Sequence, residues 1–239
     1  RQENTAVLCI EKALEGYSQQ LPSPSPNLEQ GSSEWMLEFI NYIRSLLTLF
    51  VREKDLPKLV SDGMFPIGIR SFTHKTYNPL NTCNYETLEA LGDLVNSYAF
   101  GVYLTSAYPN ITNSELSELK NYYLARDALS AFGRSFHMGQ WVLQRNEEVK
   151  DDINVIEDLF ESFSGALHQV ADKISPSLGA VYIRNLFKII FDQVKIDWER
   201  TKGSPKTIVI QYFQGLYLGY PQEGYHKLEE WNERREQLC

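Results

Sequence analysis

Three carboxylates, Glu86, Glu89 and Asp93, follow one another at spacings of three and four within Asn84-Tyr85-Glu86-Thr87-Leu88-Glu89-Ala90-Leu91-Gly92-Asp93. At about 100° per residue these spacings put all three on one narrow arc of a helix, with Leu88, Leu91, Leu94 and Val95 on the faces left for packing. Like charges so placed weaken a helix, and a divalent cation is the obvious compensating charge. A solvated acidic face is the alternative. A second stretch, Asn154 to Leu167, is again apolar at helical spacing and carries Asp158 and Glu161 one turn apart on one face. Two such helices facing each other would gather their carboxylate oxygens around a hard cation. Oxygen-only ligation with room for water suits Mg²⁺ or Mn²⁺ rather than zinc.

The first stretch resembles the signature of the ribonuclease III family, N-E-R-L-E-F-L-G-D, and the second resembles that family's D-x-x-E-A-x-x-G-A helix. Phe72-Thr73-His74-Lys75-Thr76-Tyr77 is similar to the family's L-T-H-x-S-Y element, and Glu115-Leu116-Ser117-Glu118-Leu119-Lys120 to its G-x-L-S-x-L-R helix. The four blocks stand in the family's order, and the resemblance covers about residues 60 to 197. It implies an all-α, ribonuclease III-like domain that cuts double-stranded or structured RNA by metal-dependent phosphodiester hydrolysis. On that reading Glu89, Asp93, Asp158 and Glu161 are catalytic, and with Glu86 they ligate Mg²⁺ (or Mn²⁺), which activates the attacking water. The resemblance further implies a homodimer, or a heterodimer with another ribonuclease III-like protein, with two clefts facing the two RNA strands. Asn113 departs from the pattern, since the family often has an acid just before this helix; the departure puts a secondary metal contact in doubt and leaves the four central carboxylates in place.

The elements that must position these groups are helices. An amphipathic helix is expected over residues 4–19, ended by Leu21-Pro22-Ser23-Pro24-Ser25-Pro26, and a second begins at Ser32 or Ser33 and runs to Phe50. Residues 1–60 therefore read as an N-terminal helical extension, 61–200 as the ribonuclease III-like domain, and 201–239 as a tail. Thr112 with Glu115 forms a capping box for a helix expected to run through about Gly133. A last helix is expected over Tyr182 to Trp198. Gly92 and Gly165 sit inside helical patterns, where each costs about 0.8–1 kcal/mol relative to alanine, so a close backbone approach is expected to compensate. Beyond the acids, Leu94, Val95, Tyr98, Ala99 and Phe100 are more apolar residues than one helix face needs, and point to a dimer contact.

His74 reads as a buried histidine that holds its loop against the signature helix. His137, His168 and His226 have no metal-ligand spacing, and no Ser/His/Asp, Cys/His or glycine-rich phosphate-binding pattern occurs. Arg184, Lys188, Lys195, Arg200, Lys202 and Lys206 make the most basic part of the chain, either a phosphate-facing edge or an ordinary solvated surface. Ser204 to Gln214 resembles the opening of a double-stranded-RNA-binding domain, but the 25 residues that follow are too few for its sheet and second helix.

The chain has 239 residues, 43% of them hydrophobic, enough for a substantial core. Lys+Arg number 23 against 31 Asp+Glu, a net charge of −8, which excludes binding to nucleic acid by bulk electrostatics alone. No run of eighteen apolar residues occurs, so no membrane partner is expected. Cys9, Cys83 and Cys239 are far apart, which fits a reducing compartment. A start at Arg1 rather than Met is compatible with several histories, one of them removal of a targeting segment, and an Arg-proximal cut fits a mitochondrial presequence; the mitochondrial matrix is the expected location, with cytoplasm or nucleus as alternatives.

Two other functions compete with the RNA-processing nuclease. One is a ribonuclease III-like structural component of the mitochondrial large ribosomal subunit, holding rRNA without cutting it. A pure scaffold has no need of four central acids. The other, a helical adaptor with no RNA role, leaves the four ordered blocks unexplained.

Overall fold

The computed structural model describes residues 5–62 and 64–198. The expected tail, with Ser204 to Gln214, Arg200, Lys202, Lys206, His226 and Cys239, lies outside them. The described residues up to Ile196 belong to one compact unit. Its helices are α1 (Thr5–Ser18), α2 (Ser33–Thr48), α3 (Leu56–Asp62), α4 (Met64–Ser71), α5 (Glu86–Ala107), α6 (Asn113–Tyr123), α7 (Arg126–Ser135), α8 (Ile153–Ile174) and α9 (Leu178–Gln193). Among the described residues the nearest thing to a sheet is one parallel bridge between Thr73 and Leu143. The fold is all-α, and no described helix is long and apolar enough to cross a membrane.

Two long helices carry the architecture. On α5, Leu88, Val95, Ala99, Phe100 and Leu104 recur at helical spacing and are buried; on α8 the buried set runs from Val155 and Ile156 to Val170 and Ala171. The helices pack antiparallel, because Gly92 meets Glu161 while Leu88, one turn earlier, meets Gly165, one turn later. Helix α9 closes one side with rings: Phe187 and Phe191 lie 5.2 and 5.0 Å from Phe100. Helix α7 packs on α8, with Phe132 5.7 Å from Phe160.

Helices α1 and α2 share this core. Ile10 and Leu14 of α1 are buried, Glu11 pairs with Arg134 of α7 at 2.7 Å, and Ser18 Oγ lies 2.7 Å from His137 Nε2. The Ser32 hydroxyl caps α2 by accepting from the Trp35 amide at 3.1 Å. The inner face of α2 then presents Trp35, Phe39 and Tyr42 to Trp141 and Phe72: Tyr42 stacks on Trp141 at 5.0 Å, Phe39 meets Phe72 edge-on at 5.2 Å, and the Tyr42 hydroxyl donates to the Phe136 carbonyl. Asp55, after α2, accepts from both Arg52 and the Tyr182 hydroxyl of α9.

The structure differs from the helix expectations in two places. The capping box of Thr112 and Glu115 forms, but its helix stops at Tyr123 instead of continuing to Gly133; Ala125 is extended (φ −77°, ψ 156°) and restarts the chain as α7. That bend turns Leu129 and Phe132 into the core. The last helix starts at Leu178 and ends at Gln193, where Val194 leaves helical geometry with its side chain buried. Val95, Ala99 and Phe100, expected at a dimer contact, are core residues, and Leu94 and Tyr98 are exposed.

Candidate active site

The first turn of α5 carries two of the acids, Glu86 and Glu89, and Asp93 follows on the same helix. Asn84 Oδ1 accepts from the Glu86 amide at 3.1 Å, and the Tyr85 carbonyl accepts from the amides of Leu88 and Glu89, so the helix starts beneath Glu86 and Glu89. On α8, Asp152 caps the helix through the Asn154 amide at 2.9 Å, and Asp158 and Glu161 follow one turn apart on the side that meets Tyr85 and Gly92. The two glycines then control the separation. A Cβ on Gly92 would overlap the Glu161 carbonyl oxygen, and one on Gly165 would overlap the Leu88 carbonyl oxygen. Glycine at both places lets the backbones touch where the acids project.

All five expected acids share one electrostatic field. Glu161 is buried, at 8% exposure, and its carboxyl is pushed up to about 8, first by burial and then by Asp93, Glu157, Glu89 and Asp158. Glu89 is half-buried and pushed up to about 7, again by burial first, then by Asp158, Glu86 and Glu157. Burial also raises Asp158, against a phenol hydrogen bond that holds it down. Glu86 is half-buried, and Asp93 stands at the exposed edge. Burial, and then the neighbouring carboxylates, thus shift both Glu89 and Glu161 toward the protonated form.

Three groups that the spacing did not disclose offset the remaining charge. The Tyr85 hydroxyl donates to Asp158 Oδ2 at 2.9 Å; Lys75 Nζ lies 3.7 Å from Glu86; Arg126 Nε donates to Glu157 at 2.8 Å. Tyr85 and Lys75 stand inside the motif blocks, but only tertiary contact shows what they reach. His74 has the loop-holding place expected of it. It is 7% exposed, its amide donates to the Leu143 carbonyl at 2.9 Å, Nδ1 lies 2.8 Å from the Thr76 hydroxyl, and its ring is 5.7 Å from that of Tyr85. Burial, and then Lys75, keeps it below the usual histidine range. His137 adopts a left-handed backbone (φ 59°) against α1, and His168 lies beside Asp172, both away from the acids. Arg184, Lys188 and Lys195 are exposed, with Lys188 paired to Asp192.

Among the described residues no three His, Cys, Asp or Glu side chains stand in the arrangement of a finished metal centre. The donor set nonetheless fits a hard divalent ion. Every ligand offered is a carboxylate oxygen, and such an ion would offset the burial and repulsion that push Glu89 and Glu161 up.

An all-helical bundle with an acid cluster between two touching helices offers a carboxylate-lined site. The comparisons narrow this. The family model for the Ribonuclease III domain matches residues 86–172, from the first acid of α5 into the last turn of the acid-bearing helix α8. The chain is 33% identical over 129 residues to the Ribonuclease 3 of Borreliella afzelii (49% of this chain, 53% of that one). It is 31% identical over 139 residues to that of Streptococcus thermophilus (54% and 60%), and 30% identical over 158 residues to that of Streptococcus pyogenes serotype M5 (59% and 67%). It superposes on the nuclease domain of Ribonuclease III from Campylobacter jejuni with a TM-score of 0.50 at 22% identity, covering 67% of this chain and 99% of that one. The chain belongs to the ribonuclease III family. It spans little more than half the length of the Borreliella and S. thermophilus proteins.

Proposed function

We propose that the protein is a divalent-metal-dependent endoribonuclease acting on double-stranded or structured RNA. The observation that carries this reading is that buried Glu161 and half-buried Glu89 lie between two touching helices among further acids, and that burial and these neighbours push both carboxyls up. Clusters of that kind are costly to a fold and are found where a cation or a proton is handled. Bound there, Mg²⁺ or Mn²⁺ would supply an activated water and screen the charge developing on the scissile phosphate. Glu89, Asp93, Asp158 and Glu161 would hold the ion, with Glu86 at the edge. Exposed Lys75 and Arg126, each leaning on an outer carboxylate, stand where RNA phosphates would approach an otherwise acidic site.

Two copies acting together complete the reading. Leu94 and Tyr98 are exposed one turn apart on α5, and a region of the Campylobacter jejuni nuclease domain is involved in dimer formation. A symmetric pair would set two acid clusters against the two strands of a duplex.

The test is cleavage of long duplex RNA at low ionic strength. Wild type should cut with Mg²⁺ and stay inactive with Ca²⁺, and Glu161→Gln should fold and lose cutting. Equal background from wild type and Glu161→Gln, with Mg²⁺ present, would overturn the enzyme reading.

A further inference from the structure

Tyr85 is buried, at 3% exposure, yet it belongs to no apolar stripe, because it occupies the residue just before α5. It is held at three points. Its amide donates to the Thr73 carbonyl at 3.1 Å, its ring lies against His74, and its hydroxyl donates to Asp158 Oδ2 at 2.9 Å. The first two contacts come from the segment around His74, itself tied to Leu143 through the His74 amide. The position of the phenol is therefore set without help from Asp158. A buried hydroxyl with no acceptor costs about 1–3 kcal/mol, so the arrangement draws Asp158 to the phenol.

We propose that Tyr85 is a positioning residue for the metal centre: its hydroxyl occupies Asp158 Oδ2 and leaves the other carboxylate oxygen to meet the cation. The inference rests on the acid cluster holding a metal, as proposed above. A carboxylate restrained in this way ligates through one oxygen in a fixed rotamer, and a lone carboxylate at the end of two free torsions must be ordered when the ion arrives. Hydrogen bonds to ligating carboxylates tune affinity by about 10- to 100-fold in metalloproteins. The geometry also gives the segment around His74 a part in the site. That segment reaches the acids through the Tyr85 ring and amide, and His74 itself stays out of the chemistry.

The test is Mn²⁺ binding at one fixed pH, read from the electron paramagnetic resonance of free Mn²⁺, on wild type, Tyr85→Phe, Asp158→Asn and the double variant. Tyr85→Phe keeps the ring against His74 and removes only the hydroxyl. It should bind Mn²⁺ about tenfold or more weakly while its metal-free melting stays cooperative, and the double variant should bind no more weakly than Asp158→Asn alone. Affinity equal to wild type, or losses that add in the double variant, would overturn the role of Tyr85 and leave the metal centre standing. Wild type that binds no Mn²⁺ would overturn both. Should Tyr85→Phe melt without cooperativity, 3-fluorotyrosine at position 85 gives a second route, since it keeps both ring and hydroxyl. Its ¹⁹F resonance should move when Mg²⁺ is added to the otherwise wild-type protein and stay fixed in Glu161→Gln. A resonance indifferent to Mg²⁺ in a protein that binds Mn²⁺ would count against the proposal.

Discussion

The carbonyl oxygen of Glu161 stands where a Cβ on Gly92 would have to go. Backbone cannot step aside as a flexible side chain can, so Gly92→Ala must push α5 and α8 apart. The expected cost is about 2 kcal/mol, or roughly 4–8 °C in Tm for a chain of this size. Gly101, on the same helix with nothing near its would-be Cβ, is the control: Gly101→Ala should leave Tm unchanged or raise it. Thermal melts of both variants decide this, and equal Tm values would refute the close approach.

Glu161 makes the metal-free protein sensitive to alkali. Its carboxyl titrates near 8 in the fold against 4.5 when free, so the folded state favours the proton. The stability this gives is fully present below about pH 4.5 and is lost as pH rises through about 8. Glu161→Gln carries no charge at either end of that window. In chelator, the variant should melt close to wild type at pH 5 and several degrees above it at pH 8.5. A gap in Tm that does not change with pH would show that Glu161 ionises freely. Added Mg²⁺ should narrow the gap at pH 8.5 by stabilising wild type alone.

Leu94 and Tyr98 are 68% and 63% exposed, unusual for large apolar groups one turn apart on a central helix. Light scattering should show wild type as a dimer at micromolar concentration and Leu94→Glu/Tyr98→Glu as a folded monomer with unchanged circular dichroism. A wild-type monomer would remove the two-cleft arrangement while leaving each acid cluster intact.

Arg126 holds Glu157, the acid next to Asp158 in the chain. Arg126→Ala should leave Glu157 without this partner near Glu89 and Glu161, both of which already feel it. The carboxyl titrations of Glu89 and Glu161, followed by ¹³C resonances without metal, should move to higher pH. Titrations that stay in place would mean that the pair is screened by solvent.

What the sequence discloses is what lies within one helix. Glu86, Glu89 and Asp93 share an arc, as do Asp158 and Glu161, because side-chain direction repeats every 3.6 residues regardless of the partner. Gly92 and Gly165 announce a close approach because each costs stability unless something comes near. The compensating groups are a different matter. Tyr85 reaches a carboxylate 73 residues further on, and Arg126 one 31 residues further on, and no local period records either. The bend at Leu124-Ala125 is equally silent. Neither residue is a helix breaker, and the turn is imposed by the core that Leu129 and Phe132 must enter.

Synthesis meets the aromatic face of α2 long before its cover exists. Tyr42 donates to Phe136, 94 residues later, and Trp35 and Phe39 wait for Trp141. At about 5–20 residues per second, an emerging chain shows these rings to water for roughly 5–20 s. During that interval they are a target for chaperones and for neighbouring nascent chains. Slowing translation between residues 51 and 141 should therefore lower the yield of soluble protein more than slowing it after residue 141.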